Sequence, residues 1–356
     1  SFLARILDAA PDKIDVTVSI DTFGLDSLML TDFQISIVRA LDVNLPLIKL
    51  LKGPSIATLS SDLLLELDRV GDADETTLQA GEQATEFTVA DLDGVEVINP
   101  WLIRGSGNPD APVRLICFHS MGVGASLFTN FLLNPPDECD IVAVQTPGRE
   151  NRLDEPVLES MDELADQLML QVQPLFDRPV VIWGHSFGGI VAWEVIRRLR
   201  ERHHCEPAHL MVTGTAGPHL MHLWQKREVL LKAMVADNSP EYLISLSRYV
   251  DDPEFLKSII PLMRKDYPLL KGYDCLPMPP MNCPITAFAA RQDDFVYTDE
   301  IREWARHTKG GFELIEVDGD HWFLSRNREL IITRLQDIAA ECSRIAVEHS
   351  IRAAIR

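Results

Sequence analysis

Basic residues are scarce in this chain: 33 Lys and Arg stand against 54 Asp and Glu in 356 residues, a formal net charge of −21. A surface of that sign repels phosphates, so nucleic acid is excluded as a nonspecific partner. No apolar run approaches the roughly 18 residues that a membrane-spanning helix needs, so no membrane span is expected. No His-Glu-x-x-His occurs, and none of the six cysteines (117, 139, 205, 275, 283 and 342) falls in a Cys-x-x-Cys pair. His203-His204-Cys205 is too contiguous for the spacing of common zinc motifs, so no metal site is expected. The cysteines read as reduced thiols, some of them in the core, which points to a cytoplasmic location. No secretory leader pattern is visible at the start, and no internal repeat or low-complexity tract stands out.

What is present is an alternation of strand and helix. Residues 113–118, 141–145, 180–183, 210–213 and 285–289 are mostly apolar strand patterns separated by helical stretches. Such alternation predicts an α/β domain with a mostly parallel sheet and helices on both faces. Residues 98–356 are long enough to bury a substantial core of this kind. Residues 1–69 form a small all-helical set, too small for enzymatic machinery of its own. Residues 70–97 are acidic and poor in large apolar side chains, a composition that predicts a flexible linker.

The most informative stretch is Gly184-His185-Ser186-Phe187-Gly188. An apolar run precedes it and a helical pattern follows from Gly189. Gly-x-Ser-x-Gly between strand and helix is the pattern of a nucleophile elbow. The glycines leave room for the sharp turn, and the helix N-terminus favours a developing negative charge.

A nucleophilic serine needs a base, and the base needs an orienting acid. In α/β-hydrolases the chain order is Ser, then Asp or Glu, then His. Here a buried-strand pattern at 284–290 leads into a loop with Asp293 and Asp294, either of which fits the acid. An alternating strand at 312–317 then leads to His321. Loop position and chain order favour His321 over the other nine histidines.

Upstream, Phe23-Gly24-Leu25-Asp26-Ser27-Leu28-Met29 precedes an amphipathic helix expected over 28–41. Asp26 fits an N-cap, with Ser27 in the first turn. By spacing alone the motif reads as a capped helix, although a phosphate on Ser27 would face its positive end.

The same residues resemble the phosphopantetheine attachment motif of acyl carrier proteins. The likeness continues through Leu41-Asp42-Val43-Asn44-Leu45-Pro46-Leu47 and Gly53-Pro54-Ser55-Ile56-Ala57-Thr58-Leu59, similar to the third and fourth helices of polyketide synthase carriers. Asp26 before Ser27 resembles polyketide carriers more than peptidyl ones. The resemblance implies 4'-phosphopantetheine bound covalently to Ser27, with a phosphopantetheinyl transferase and upstream synthase modules as partners. Residues 1–10 match only the end of a first carrier helix, so the chain is expected to begin inside a longer polypeptide.

The remainder resembles thioesterases of polyketide and nonribosomal peptide synthases. The elbow matches their Gly-His-Ser-x-Gly-Gly pattern through Gly189. Residues 118–125 resemble their oxyanion loop, with His119 in place of the usual Pro, Met121 of Ala and Val123 of the second Gly. This implies the backbone N–H groups of Met121 and Phe187 as oxyanion hole. Residues 146–150 resemble the family's Pro-Gly-Arg turn. Residues 252–267 resemble the lid of type II thioesterases. A helical lid is accordingly expected over about 219–275, with Met221, Leu223, Trp224, Leu230, Leu231, Met234 and Tyr242 supplying its apolar face toward an acyl pocket. Many terminal thioesterases carry their acid just after the strand that follows the elbow helix. Here that strand ends in Thr213-Gly214-Thr215-Ala216, without a carboxylate. The type II pattern, an Asp three residues before a Val, selects Asp293 before Val296.

The resulting expectation is the C-terminal carrier–thioesterase didomain of a polyketide synthase. The carrier would hold an acyl thioester on Ser27, and Ser186, His321 and Asp293 would release the chain by hydrolysis through an acyl-enzyme. The alternatives are release by macrocyclisation, type II-like editing of stalled acyl groups, a generic esterase or lipase, and a carrier joined to an inert hydrolase-like domain.

Overall fold

The computed structural model describes residues 14–23, 33, 37, 50, 54–71, 88–92, 94–224, 226, 253–324 and 326–355. The chain divides into two compact units, Ser1–Leu92 and Asp93–Arg356.

In the first unit, helix α1 (Ile56–Gly71) starts where Ser55 Oγ accepts the Thr58 N–H at 3.1 Å. That bond satisfies one of the donors a helix start leaves open. Leu59 and Leu63, one turn apart on α1, are buried, as are Ile20, Phe33, Ile37 and Leu50. An Ser19–Ser55 bridge and a 3.0 Å bond from Ile20 N–H to Pro54 O join the short turn Ile20–Phe23 to the start of α1. Phe33 and Ile37 lie four residues apart, the spacing of one helical face. Ser27, and all of the expected helix over 28–41 except those two positions, lies outside the described residues.

The second unit is built on one eight-stranded sheet: β1 (Glu96–Asn99), β2 (Leu102–Arg104), β3 (Val113–Phe118), β4 (Cys139–Val144), β5 (Val180–His185), β6 (His209–Thr213), β7 (Ile285–Ala290) and β8 (Phe312–Val317), in the order β1-β2-β4-β3-β5-β6-β7-β8. β1–β2 and β2–β4 pair antiparallel, and every other neighbour pairs parallel. Every residue of β3 through β7 is buried. Helices cover both faces of the sheet, so those strands read as mostly apolar runs; the charges that break them, Arg114 of β3 and Asp140 of β4, are buried and paired at 2.7 Å. Among the described residues the helices are α2 (Thr129–Leu133), α3 (Met161–Val172), α4 (Phe187–His203), α5 (Met221–Trp224), α6 (Pro253–Leu270), α7 (Thr298–Arg302) and α8 (Arg328–Ile355). Trp183 of β5 anchors one part of the core, with Phe128 and Phe131 edge-on at 4.9 and 4.8 Å. Each such pair adds about 0.5–1.5 kcal/mol beyond burial.

From β3 the chain passes first to β4 on one side and then to β5 on the other. Open α/β sheets place their sites at such a reversal, beyond the carboxyl ends of the strands. The loops after β3, β5, β7 and β8 all emerge at that edge.

The structure departs from the sequence-based reading in two places. Val89 and Leu92 are buried and β1 begins at Glu96, so the last part of the stretch expected as a linker is ordered. In the expected lid, the described residues include α5 and α6, and Met221 is buried. Leu223 is 47% exposed and does not contribute to an apolar inner face. On a four-residue helix, Met221 and Leu223 stand about 200° apart, so burying one exposes the other. Leu230, Leu231, Met234 and Tyr242 lie outside the described residues.

Candidate active site

The turn between β5 and α4 holds Ser186 at φ 53°, ψ −122°. A non-glycine residue in that region carries strain of order 1–3 kcal/mol and persists only where its surroundings enforce it. They do so here. Ser186 N–H donates to Thr213 O at 2.8 Å, and Ser186 O accepts from Gly189 N–H at 3.0 Å and from the Thr215 hydroxyl at 2.9 Å. Close packing explains the glycines. A Cβ on Gly188 would stand 2.1 Å from Phe118 O and 2.5 Å from His119 O, and one on Gly184 would stand 2.4 Å from the Gly189 Cα. Without those side chains, α4 starts directly against the end of β3.

Three side chains from three loops meet at this turn. His321 Nε2 is 2.8 Å from Ser186 Oγ, and His321 Nδ1 is 2.8 Å from Asp293 Oδ2. The carboxylate only accepts, so the network assigns the ring proton to Nδ1 and leaves Nε2 to accept from the Ser186 hydroxyl. Asp293 Oδ1 accepts two backbone N–H groups, from Phe295 at 2.7 Å and Val296 at 3.0 Å. These bonds fix the carboxyl group, and the spacing to Val296 is what makes the second possible. The neighbouring Asp294 is exposed, whereas Ser186, Asp293 and His321 are all buried. The His321 ring lies among Phe295, His185 and Trp322, with centroids at 5.0, 5.4 and 5.8 Å. Burial, and then the neighbouring His321, push the His185 imidazole well below its usual range. His185 is therefore a neutral neighbour, whose Nδ1–H donates to Thr213 O at 3.0 Å.

The loop after β3 is braced from several directions. Gly122 N–H donates to Asp266 Oδ2 at 2.8 Å, and Arg149 Nη1 donates to Val123 O at 2.9 Å. Ala125 N–H donates to Gln145 Oε1 at 2.8 Å, and Ser126 N–H to Glu150 Oε1 at 3.2 Å. Arg149 and Asp266 form a buried two-pronged ion pair; its Nη1–Oδ2 arm measures 2.9 Å and its second arm joins Nη2 to Oδ1. Asp266 belongs to α6, so one carboxylate from the lid region holds both the loop and the arginine of the Pro-Gly-Arg turn. Among the described residues, the Met121 and Phe187 N–H groups have no hydrogen-bond partner. They flank the elbow at the end of β3 and the start of α4.

Sequence reading named the segments holding Arg149 and Asp266 but gave neither residue a part. The only signal was the Pro-Gly-Arg turn, because the two residues are 117 positions apart. A small pocket, partly open to solvent, is lined by His119, Thr146, Arg149, Asp266, Phe118 and Phe187 among others. Ser186 and His321 are not among its walls, so it is not the space in which a substrate carbonyl would meet Ser186. Among the described residues no group of three His, Cys, Asp or Glu side chains could hold a metal ion, and no helix is long and apolar enough to cross a membrane.

Residues 113–339 match the thioesterase domain family, and residues 1–63 match the phosphopantetheine attachment site family. The chain belongs to the thioesterase family. It is 32% identical to thioesterase PikA5 of Streptomyces venezuelae over 243 residues, 67% of this chain and 84% of that protein. It is 28% identical to the gramicidin S biosynthesis protein GrsT of Aneurinibacillus migulanus over 240 residues, 66% of this chain and 91% of that one. Among solved structures it resembles the type II thioesterase BorB from the borrelidin biosynthetic cluster, with a TM-score of 0.58 and 28% identity over 68% of this chain and 97% of that one. The chain is thus a thioesterase of the α/β-hydrolase type, joined to a carrier domain that bears 4'-phosphopantetheine. The family match makes thioesters its substrate class, and the phosphopantetheine attachment site supplies a thiol on which one can form.

Proposed function

We propose that this thioesterase releases a finished polyketide-type acyl chain from its own carrier domain, through an acyl-enzyme on Ser186. The observation that carries the reading is the unbroken hydrogen-bond chain Asp293–His321–Ser186 at the strained elbow. The phosphopantetheine arm, attached at Ser27, supplies the acyl group as a thioester. Ser186 Oγ bonds to the thioester carbonyl carbon while its proton passes to His321 Nε2. The Asp293 carboxylate holds the ring in the required tautomer and stabilises the imidazolium that forms. The carbonyl oxygen gains negative charge, which the N–H groups of Met121 and Phe187 receive; one such donor is typically worth about 3–4 kcal/mol in the transition state. Collapse breaks the carbon–sulfur bond, and the carrier thiol leaves with the proton held by His321. Water then attacks the Ser186 ester, giving its proton to His321, and the acid departs as Ser186 recovers its proton.

Residues 1–69 serve as the carrier and the thioesterase body starts at β1. A phosphopantetheinyl transferase loads Ser27, and upstream synthase modules deliver the chain. One observation favours a second reading: the likeness to type II thioesterases supports editing of stalled acyl groups. The carrier on the same chain favours release. Loading the carrier with an acyl group and weighing the intact protein tests the mechanism. Ser186→Ala should strand the acyl group on Ser27, and a fluorophosphonate should label Ser186 in the parent. Unloading by Ser186→Ala at the parent's rate would overturn the reading. Rapid removal of short, stalled acyl groups with slow release of full-length chains would favour editing.

A further inference from the structure

One buried titratable side chain outside the proposed mechanism touches the oxyanion loop directly. His119, just after β3, is buried, with Nδ1 2.8 Å from Ser120 O and Nε2 3.1 Å from Thr146 Oγ1. A carbonyl oxygen only accepts, so Nδ1 carries the proton. Burial, and then the nearby Arg149 guanidinium, push this imidazole down to about 4. Near neutral pH the ring is therefore uncharged, and its bare Nε2 accepts from the Thr146 hydroxyl. A single tautomer satisfies both contacts.

Ser120 O and the Met121 N–H are the two ends of one planar peptide group. We propose that His119 is a positioning residue: its Nδ1–H bond to Ser120 O aims and polarises the Ser120–Met121 peptide, whose N–H meets the oxyanion. This rests on the reading of Met121 as an oxyanion donor. A hydrogen bond accepted at the carbonyl strengthens the donor at the other end of the amide, and the effect grows where water is excluded. The same bond resists rotation of the peptide plane. The next amide along cannot substitute, because Gly122 N–H is held by Asp266 Oδ2 at 2.8 Å. A proline at this position, as in the enzymes the loop resembles, has no side-chain donor to offer.

The test uses the full chain and a simple acyl thioester. An asparagine amide falls near the place of Nδ1, and a glutamine amide near that of Nε2. His119→Gln and His119→Phe should lower kcat about tenfold, less than the 10²–10³ typical of losing an oxyanion donor outright, because the N–H remains. KM should stay within about twofold, since the bond acts on the transition state. His119→Asn should recover most of kcat. Binding of an acyl trifluoromethyl ketone, which forms a tetrahedral adduct with serine, should weaken in proportion to kcat. An unchanged kcat in His119→Gln and His119→Phe would overturn the proposal, as would equal losses in the Asn and Gln variants. Nitrogen-15 shifts of His119 in the parent give a reading that needs no variant to fold: a ring protonated on Nδ1 alone at pH 7 supports the proposal, and one protonated on Nε2 refutes it. Ser186→Ala, assayed alongside, separates the two levels. If it is inactive while the His119 variants are unaffected, only the role of His119 fails. If it is active, the underlying mechanism fails.

Discussion

Replacing Asp293 by Asn tests the centre of the site with almost no change of shape. An Asn oxygen in the place of Oδ1 would still accept the N–H groups of Phe295 and Val296, now at 2.7 and 3.0 Å. That choice points the amide NH₂ at His321 Nδ1, where the carboxylate oxygen sits at 2.8 Å. Two donors cannot share that contact, so the ring proton moves to Nε2. Nε2 then donates toward Ser186 Oγ and no longer accepts its proton. The imidazolium also loses its neighbouring negative charge. Trapping a triad histidine in the wrong tautomer costs about 10⁴ in kcat, which corresponds to about 5.5 kcal/mol of transition-state stabilisation. The exposed Asp294 makes none of these contacts, and Asp294→Asn should leave kcat within about twofold. Steady-state turnover of an acyl thioester by both variants is the assay, with urea unfolding to show that Asp293→Asn is folded. Retention of more than about a tenth of kcat by Asp293→Asn would refute the reasoning, and so would a larger loss in Asp294→Asn.

Other outcomes follow from the packing around the site. Gly188→Ala should destabilise the second unit by about 1–3 kcal/mol and lower kcat, because its Cβ would meet the backbone oxygens of Phe118 and His119 at 2.1 and 2.5 Å; a stable variant with full activity would contradict the close contact between α4 and β3. Asp266→Ala leaves the Arg149 guanidinium buried and unpaired and should lower stability by about 3–5 kcal/mol in urea unfolding, and an unchanged midpoint would mean the ion pair is not formed. Burial, and then Arg334, hold the His209 imidazole down at about 4. The unfolded chain takes up that proton near pH 6.5, so His209 stabilises the fold above that pH and the contribution is lost as pH falls toward 4, at up to about 1.4 kcal/mol per pH unit. His209→Gln should make the acid limb of stability against pH shallower, and an identical limb would contradict the depressed value.

Much of the fold and site was legible in the sequence because the relevant physics is local. Strands buried on both faces must be mostly apolar, with a polar exception such as Arg114 paired by carboxylates, so β3, β5 and β7 stood out within a residue or two of their ends. The elbow could be read for the same reason: glycines flanking a serine between strand and helix are a steric requirement of one tight turn. Chain order and loop position then favoured His321 as the base and narrowed the acid to two adjacent aspartates. Between those two, the resemblance to type II thioesterases selected Asp293 by its spacing to Val296, but the physical basis of that spacing is tertiary: a 2.8 Å approach of His321 across 28 residues and the loop bonds that turn this carboxyl inward. The antiparallel strands β1 and β2 were missed because strands of four and three residues are too short to carry a readable apolar run and pair through backbone groups that every residue possesses. Leu223 was misplaced because composition marks a helix as apolar without saying which side faces inward. Arg149, Asp266 and His119 owe their parts to partners that folding brings together. An ion pair across 117 residues and an imidazole bonded to its neighbour's carbonyl leave no periodicity to read, because both depend on the burial that the assembled sheet creates.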